Sequence, residues 1–85
     1  MQIKVLLFAT LKDLAGNNRL TLTLPDGVMT VSDARQALIR QFPHMKAHAE
    51  AAIAAVNEEF AGATDVVKDG DEVAFFPPVS GGSGT

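Results

Sequence analysis

Apolar and polar residues alternate at both ends of this chain and recur at helical spacing between them. At the start, Ile3, Val5, Leu7 and Ala9 fall on one face of a period-two pattern, with Gln2 and Lys4 on the other, which predicts a strand. Leu6 and Phe8 then make both faces apolar, as in a strand at the centre of a sheet. Leu11 to Ala15 reads as a short connection closed by the turn residues Gly16-Asn17-Asn18. Leu20, Leu22 and Leu24 next alternate with Arg19, Thr21 and Thr23, the pattern of a strand with one buried face and one wet face. Pro25-Asp26-Gly27 ends it, and the short intervening loop makes the two strands an antiparallel hairpin.

Thr30 is placed to cap a helix whose first turn holds Asp33, where the helix dipole favours an acid. Val31, Ala34, Leu38 and Phe42 share one face at helical spacing and should cover the sheet, and Pro43 should stop the helix. The alanine-rich run from His44 to about Ala49 reads as a second short helix, followed by a strand over Ile53-Ala54-Ala55-Val56 and a turn at Asn57-Glu58-Glu59. Ala61-Gly62-Ala63-Thr64 is loop-like, and Val66-Val67 reads as a short irregular apolar contact. Lys68-Asp69-Gly70-Asp71 forms a turn into a last strand from Glu72 to Phe76. The first and last strands are the most apolar, and they pair as the central strands of a mixed sheet. If that pair is parallel, the intervening helix must be its crossover. The expected fold is therefore α+β, a ubiquitin-like β-grasp whose mixed sheet packs on one main helix. We expect a β-grasp domain over residues 1–76 and an extended tail over 77–85.

Composition narrows the chemistry. Eighty-five residues make one small domain, able to bury roughly 60–65% of the unfolded chain's surface. There is no cysteine, so the chain itself supplies no disulfide, cysteine-ligated zinc or iron–sulfur cluster. Sulfur chemistry here would need sulfur brought from elsewhere. Net charge is −3 and the seven Lys and Arg are scattered, which argues against nucleic acid as a partner. The opening apolar run is too short to span a bilayer and lacks the basic start and cleavage site of a signal peptide. The chain is accordingly read as cytoplasmic, with no membrane partner.

The end of the chain is unlike the rest. Phe75-Phe76 is followed by Pro77-Pro78-Val79-Ser80-Gly81-Gly82-Ser83-Gly84-Thr85, which after Ser80 contains only glycine and small hydroxyl residues. Two prolines favour extended geometry and lower the entropy lost on docking. The six steps from Phe76 to Gly82 reach roughly 20 Å from the fold at about 3.3 Å per residue. Gly81-Gly82 has no side chain to block a narrow channel. The expected tail is thus a flexible probe ending in a Gly-Gly pair.

Asp69-Gly70-Asp71-Glu72-Val73-Ala74-Phe75-Phe76-Pro77-Pro78-Val79-Ser80-Gly81-Gly82 resembles the C-terminal signature of the MoaD-type small subunits of molybdopterin synthase, within the ThiS/MoaD ubiquitin-like sulfur carriers. Ile3-Lys4-Val5-Leu6-Leu7-Phe8-Ala9 and Ala54-Ala55-Val56-Asn57 are similar to that family too. The resemblance implies a non-catalytic carrier subunit of a heterotetrameric sulfurtransferase. Gly82 matches the reacting residue, adenylylated with ATP by an adenylyltransferase of the ubiquitin-activating type. A desulfurase system then supplies the sulfur that makes its thiocarboxylate. The tail enters the large synthase subunit, where the sulfur passes to cyclic pyranopterin monophosphate to build the dithiolene. Phe75, Phe76, Pro77, Pro78, Val79, Ser80 and Gly81 become the partner-binding residues. No cofactor is permanently bound, and no metal is implied.

One departure matters. Family members normally end at the second glycine, whereas Ser83-Gly84-Thr85 follow here, so the Gly82 carbonyl lies in a peptide bond and offers no carboxylate. Three readings stand: a processing protease removes the three residues, which is the favoured one; they are an addition foreign to the natural chain; or the chain no longer carries sulfur and acts only as a binding module or decoy. Thr85, being β-branched, is a poor substitute for glycine in a narrow channel.

The remaining candidates weigh less. Phe75 and Phe76 alternate faces, so one should be core and the other a docking anchor, although burial of both is nearly as good a reading. His44 and His48 stand at i, i+4 spacing, which suits a metal, but no third ligand is nearby and solvent-facing histidines are the better reading. Asp69, Asp71, Glu72, Glu58 and Glu59 would steer a basic partner or merely be solvated. Lys46 and Lys68 receive no role. Alternatives on the same fold are a ubiquitin-like modifier that acylates lysine, a sulfur carrier for thiamine or cysteine synthesis, and a pure interaction module. A stand-alone enzyme is least favoured, since no nucleophile and base pair is visible.

Overall fold

The computed structural model describes residues 1–78. Strand β1 (Gln2–Leu7) lies between β2 (Arg19–Thr23), antiparallel to it, and the last strand, parallel to it. In chain order the other elements are α1 (Thr10–Ala15), β3 (Met29–Thr30), α2 (Val31–Gln41), a 3-10 turn (Pro43–Met45), α3 (Lys46–Ala51), β4 (Ile53–Val56), β5 (Glu59–Ala61), β6 (Val66–Val67) and β7 (Glu72–Phe76). The main sheet runs β2-β1-β7-β4-β5, and β3 pairs with β6 in a separate two-stranded ladder. This is the β-grasp, with the first and last strands central as their apolar character requires.

The period-two register sorts side chains between two faces. Val5 pairs with Val73 and Leu7 with Phe75, while Ile3 pairs with Leu22 and Ala54 with Phe75. These residues point toward the helices and join Val31, Ala34, Leu38, Met45 and Ala49 in one buried cluster. The helix α2 starts where its sequence signals a start. The Thr30 side chain accepts from the Asp33 amide at 3.3 Å, and the Asp33 carboxylate accepts from the Thr30 amide at 2.8 Å. This reciprocal pair satisfies two amides that a helix otherwise leaves bare. At the other end Phe42 closes α2, and Pro43 opens the 3-10 turn, where its missing N–H costs nothing.

Four local expectations change. Leu11 to Ala15 is not a plain connection: Thr10–Ala15 winds into α1, because Leu11 is buried in the core and Gly16, at φ 81°, closes the helix with its N–H on the Lys12 carbonyl. The turn after β4 is confined to Asn57 and Glu58, both with positive φ, and Glu59 already belongs to β5. Val66–Val67 is a regular antiparallel strand on β3, with Val67 buried. Phe75, grouped by sequence with the docking residues, is fully buried on the helix-facing side and belongs to the core.

Replacing Thr30 with alanine removes the cap while leaving the buried face of α2 intact. The expected loss is about 1 kcal/mol, read in urea unfolding as a lower midpoint with an unchanged slope.

Candidate functional site

Among the described residues no helix covers the outer face of the sheet. One row of side chains crosses all five strands there, since Leu6 pairs with both Arg19 and Ala74, Ala74 with Ala55, and Ala55 with Phe60. Phe76 sits on the same face one step further along β7, opposite Ile53. Its ring meets Phe60 edge-on at 5.9 Å between centroids and Phe8 at 6.2 Å. The three rings make an aromatic strip, with Phe60 80% and Phe8 47% exposed. Beside the strip lies an open groove of about 500 Å³ whose lining includes Leu6, Ala74, Glu58 and Glu72. Exposure of large apolar groups in one contiguous place marks an interaction surface, whereas single exposed apolar residues need no explanation.

The strip leads into the tail. Beyond Leu7, the Phe8 amide donates to the Phe75 carbonyl at 3.2 Å, so the parallel ladder continues to within two residues of Pro77. Pro77 and Pro78 line a hollow of about 270 Å³ with Thr10 and Leu11 of α1 and with Ala47, His48 and Ala51 of α3. Val79, Ser80, Gly81, Gly82 and the Ser83-Gly84-Thr85 extension lie outside the described residues. Of the described residues assigned to partner binding, then, Phe76 lines the groove on the open sheet face, Pro77 and Pro78 line the hollow against α1 and α3, and Phe75 lies in the core.

Arg35 holds this region from beneath. One nitrogen of its guanidinium donates to the Ala49 carbonyl at 2.6 Å and to the Ala52 carbonyl at 2.7 Å, at the end of α3. Its carbon stands 5.4 Å from the centroid of the Phe75 ring. The guanidinium thus ties the helix flanking the tail to the strand that carries it. Burial lowers its pKa from the ordinary arginine value, the mark of a cation that has lost water. Two carbonyls and an aromatic face replace part of that hydration.

Other candidates separate from the site. His44 is exposed, and its Nε2 is paired at 2.7 Å with the Leu14 carbonyl; His48 is exposed beside the prolines. Among the described residues no group of three or more His, Asp or Glu is arranged for a metal. No helix among them is long and apolar enough to cross a membrane. Asp69 and Asp71 are taken up by the backbone, accepting from the Gln2 and Lys68 amides at 2.7 and 2.8 Å. Sequence reasoning missed Phe60 as a surface residue. The β4–β5 register, Ala55 opposite Phe60, would have revealed it, but a three-residue strand is too short to show a period.

Replacing Arg35 with methionine keeps the apolar stem near Phe75 and removes the donors. Two carbonyls at the end of α3 then lose a charged partner, and the expected cost is about 2 kcal/mol in chemical denaturation.

Comparison with known proteins agrees with this geometry. Residues 5–82 match the model of the ThiS family. The molybdopterin synthase sulfur carrier subunit of Chlamydomonas reinhardtii is 42% identical over 84 residues, covering 96% of this chain and 100% of that protein. Its counterpart in Arabidopsis thaliana is 38% identical over 82 residues, covering 96% of this chain and 84% of that protein. The crystal structure of small archaeal modifier protein 1 from Haloferax volcanii superposes with a TM-score of 0.83 at 30% identity, covering 92% of this chain and 98% of that one. The chain therefore belongs to the ThiS family, which it shares with sulfur carrier subunits of molybdopterin synthase.

Proposed function

We propose that this chain is the sulfur carrier subunit of a molybdopterin synthase and that Gly82 bears the sulfur. The observation that carries the reading is the continuity of β7: one strand supplies Phe76 to the exposed aromatic strip and then runs directly into Pro77 and Pro78. A docking surface and a tether on one rigid strand fix how far, and in which direction, the chain's end is delivered. The near full-length similarity to carrier subunits supports the same reading.

The chemistry follows from the weakness of a carboxylate as an acyl donor. The Gly82 carboxylate attacks the α-phosphorus of ATP in an activating enzyme, and pyrophosphate leaves. A persulfide supplied by a desulfurase system then attacks the carbonyl carbon and AMP leaves; a thiol cleaves the resulting acyl disulfide, passing into a disulfide itself, and releases the thiocarboxylate. In the large subunit that sulfur forms a new bond to a carbon of cyclic pyranopterin monophosphate as a carbon–oxygen bond at that carbon breaks, and water cleaves the carbonyl–sulfur bond to return the carboxylate. A dithiolene needs two sulfurs, so each product consumes two charged carriers, which suits a heterotetramer. The carrier supplies position, and the partners supply acids, bases and cations. Its working compartment is the cytoplasm, where ATP and the activating enzyme meet it. Ser83-Gly84-Thr85 must leave first, because the Gly82 carbonyl is bound in an amide to the Ser83 nitrogen in the chain as written; a processing protease is the agent proposed.

The likeness to an archaeal modifier protein favours one alternative, in which a substrate lysine rather than sulfur attacks the activated Gly82. Intact mass spectrometry of the protein from its native host separates the two. The carrier reading expects a chain ending at Gly82 with a fraction heavier by one oxygen-for-sulfur exchange; a modifier appears instead as lysine-linked conjugates. A chain that keeps Thr85 during active cofactor synthesis would overturn both. Gly81→Ala is expected to slow sulfur transfer at least about tenfold while leaving Tm unchanged, because misplacement of a reacting group is costly even when the fold is intact.

A further inference from the structure

The hollow of about 270 Å³ at the base of the tail joins three distant parts of the chain: the start of α1, one face of α3, and the pair Pro77 and Pro78. All three are tied to Phe75. The Phe8 amide donates to the Phe75 carbonyl at 3.2 Å, and the Phe8 carbonyl accepts from the Leu11 amide at 3.1 Å, which fixes the start of α1 on β7. Arg35 fixes the other wall. Its bonds of 2.6 and 2.7 Å to the Ala49 and Ala52 carbonyls hold the end of α3, while the same guanidinium stands 5.4 Å from the Phe75 ring.

Pro77 follows Phe75 by two residues, so whatever fixes α3 on Phe75 also fixes the wall against which the prolines stand. A proline has one φ, and two in succession pass the orientation of their seat to the chain beyond. The reach of the tail then counts from Pro78. Four steps to Gly82 span roughly 13 Å at about 3.3 Å per residue, against roughly 20 Å from Phe76. A shorter arm on a fixed pivot leaves the reacting end less space to search.

We propose that Arg35 is a positioning residue for sulfur transfer: by holding α3 on β7 it seats the proline pair, so that the tail pivots at Pro78 and presents Gly82 at one reach. The proposal rests on the carrier reading above and adds what sets the length of the arm. The test follows transfer from the Gly82-terminated thiocarboxylate chain to cyclic pyranopterin monophosphate on the large subunit, as carrier concentration rises, at a temperature where circular dichroism shows each chain folded. Arg35→Met should lower the saturated rate about tenfold and change the half-saturating concentration less than twofold, because the aromatic strip lies on the other face of the sheet. Arg35→Lys should recover most of the rate, since one nitrogen makes both bonds and an ammonium carries three protons. An extra glycine inserted between Pro78 and Val79 should cost about tenfold in the unaltered chain but little more in Arg35→Met, whose pivot is already lost. Thr30→Ala, which weakens the fold elsewhere, should transfer at the unaltered rate.

An unaltered saturated rate in Arg35→Met would overturn the proposal and leave the carrier reading standing. So would a change confined to the half-saturating concentration, equal slowing by Thr30→Ala, or effects of Arg35→Met and the glycine that simply multiply. If Arg35→Met does not fold, the inserted glycine decides alone, and an unaltered rate with it would show that Pro78 is not the pivot. Failure of the charged, unaltered chain to transfer sulfur would overturn the carrier reading and this proposal together.

Discussion

The parallel pairing of β1 with β7 is the constraint on which the rest depends. It joins the two ends of the sequence at the middle of the sheet, so everything between them must travel as a crossover and return. α2 is the principal cover on that route, and its capping box and proline stop set its length. The pairing also decides where the tail emerges. Phe8 continues the ladder onto the Phe75 carbonyl, so pairing of β1 with β7 reaches to within two residues of Pro77.

Strand parity then divides labour within a few residues. Val73 and Phe75 face the helices and are fully buried, whereas Glu72, Ala74 and Phe76 face outward and help line the groove. A one-residue slip would exchange the two sets, placing Glu72 in the core and Phe75 in water. The same register that stabilises the domain therefore presents its candidate interface. Arg35 works on the boundary between these roles, with donors on the α3 carbonyls and its guanidinium near the inward ring of β7.

Much of this was legible in the sequence wherever an element is long enough to display its period. Both central strands, the second strand, the main helix and its Thr30 cap stand where the pattern places them. Short β4 was placed residue for residue, but the other short elements did not announce themselves. The helix α1 exists because Leu11 finds the core, and β3 and β6 exist because they find each other across the fold, facts that no local window contains. The site divided the same way. Phe76 and the two prolines could be identified from their place in a motif, but Phe8 and Phe60 join them only through strand order, since they come from opposite sides of the sheet.

The central position of β7 also bears on how the chain survives its own synthesis. The strand that fills the gap between β1 and β4 is among the last made. Until it arrives, β1 and β4 each present an open row of amides and carbonyls to any passing strand. A nascent or truncated chain lacking β7 is thus a sticky intermediate with two free edges. Insertion of β7 closes both edges at once, so completion of the sheet and arrival of the tail's base are a single folding event.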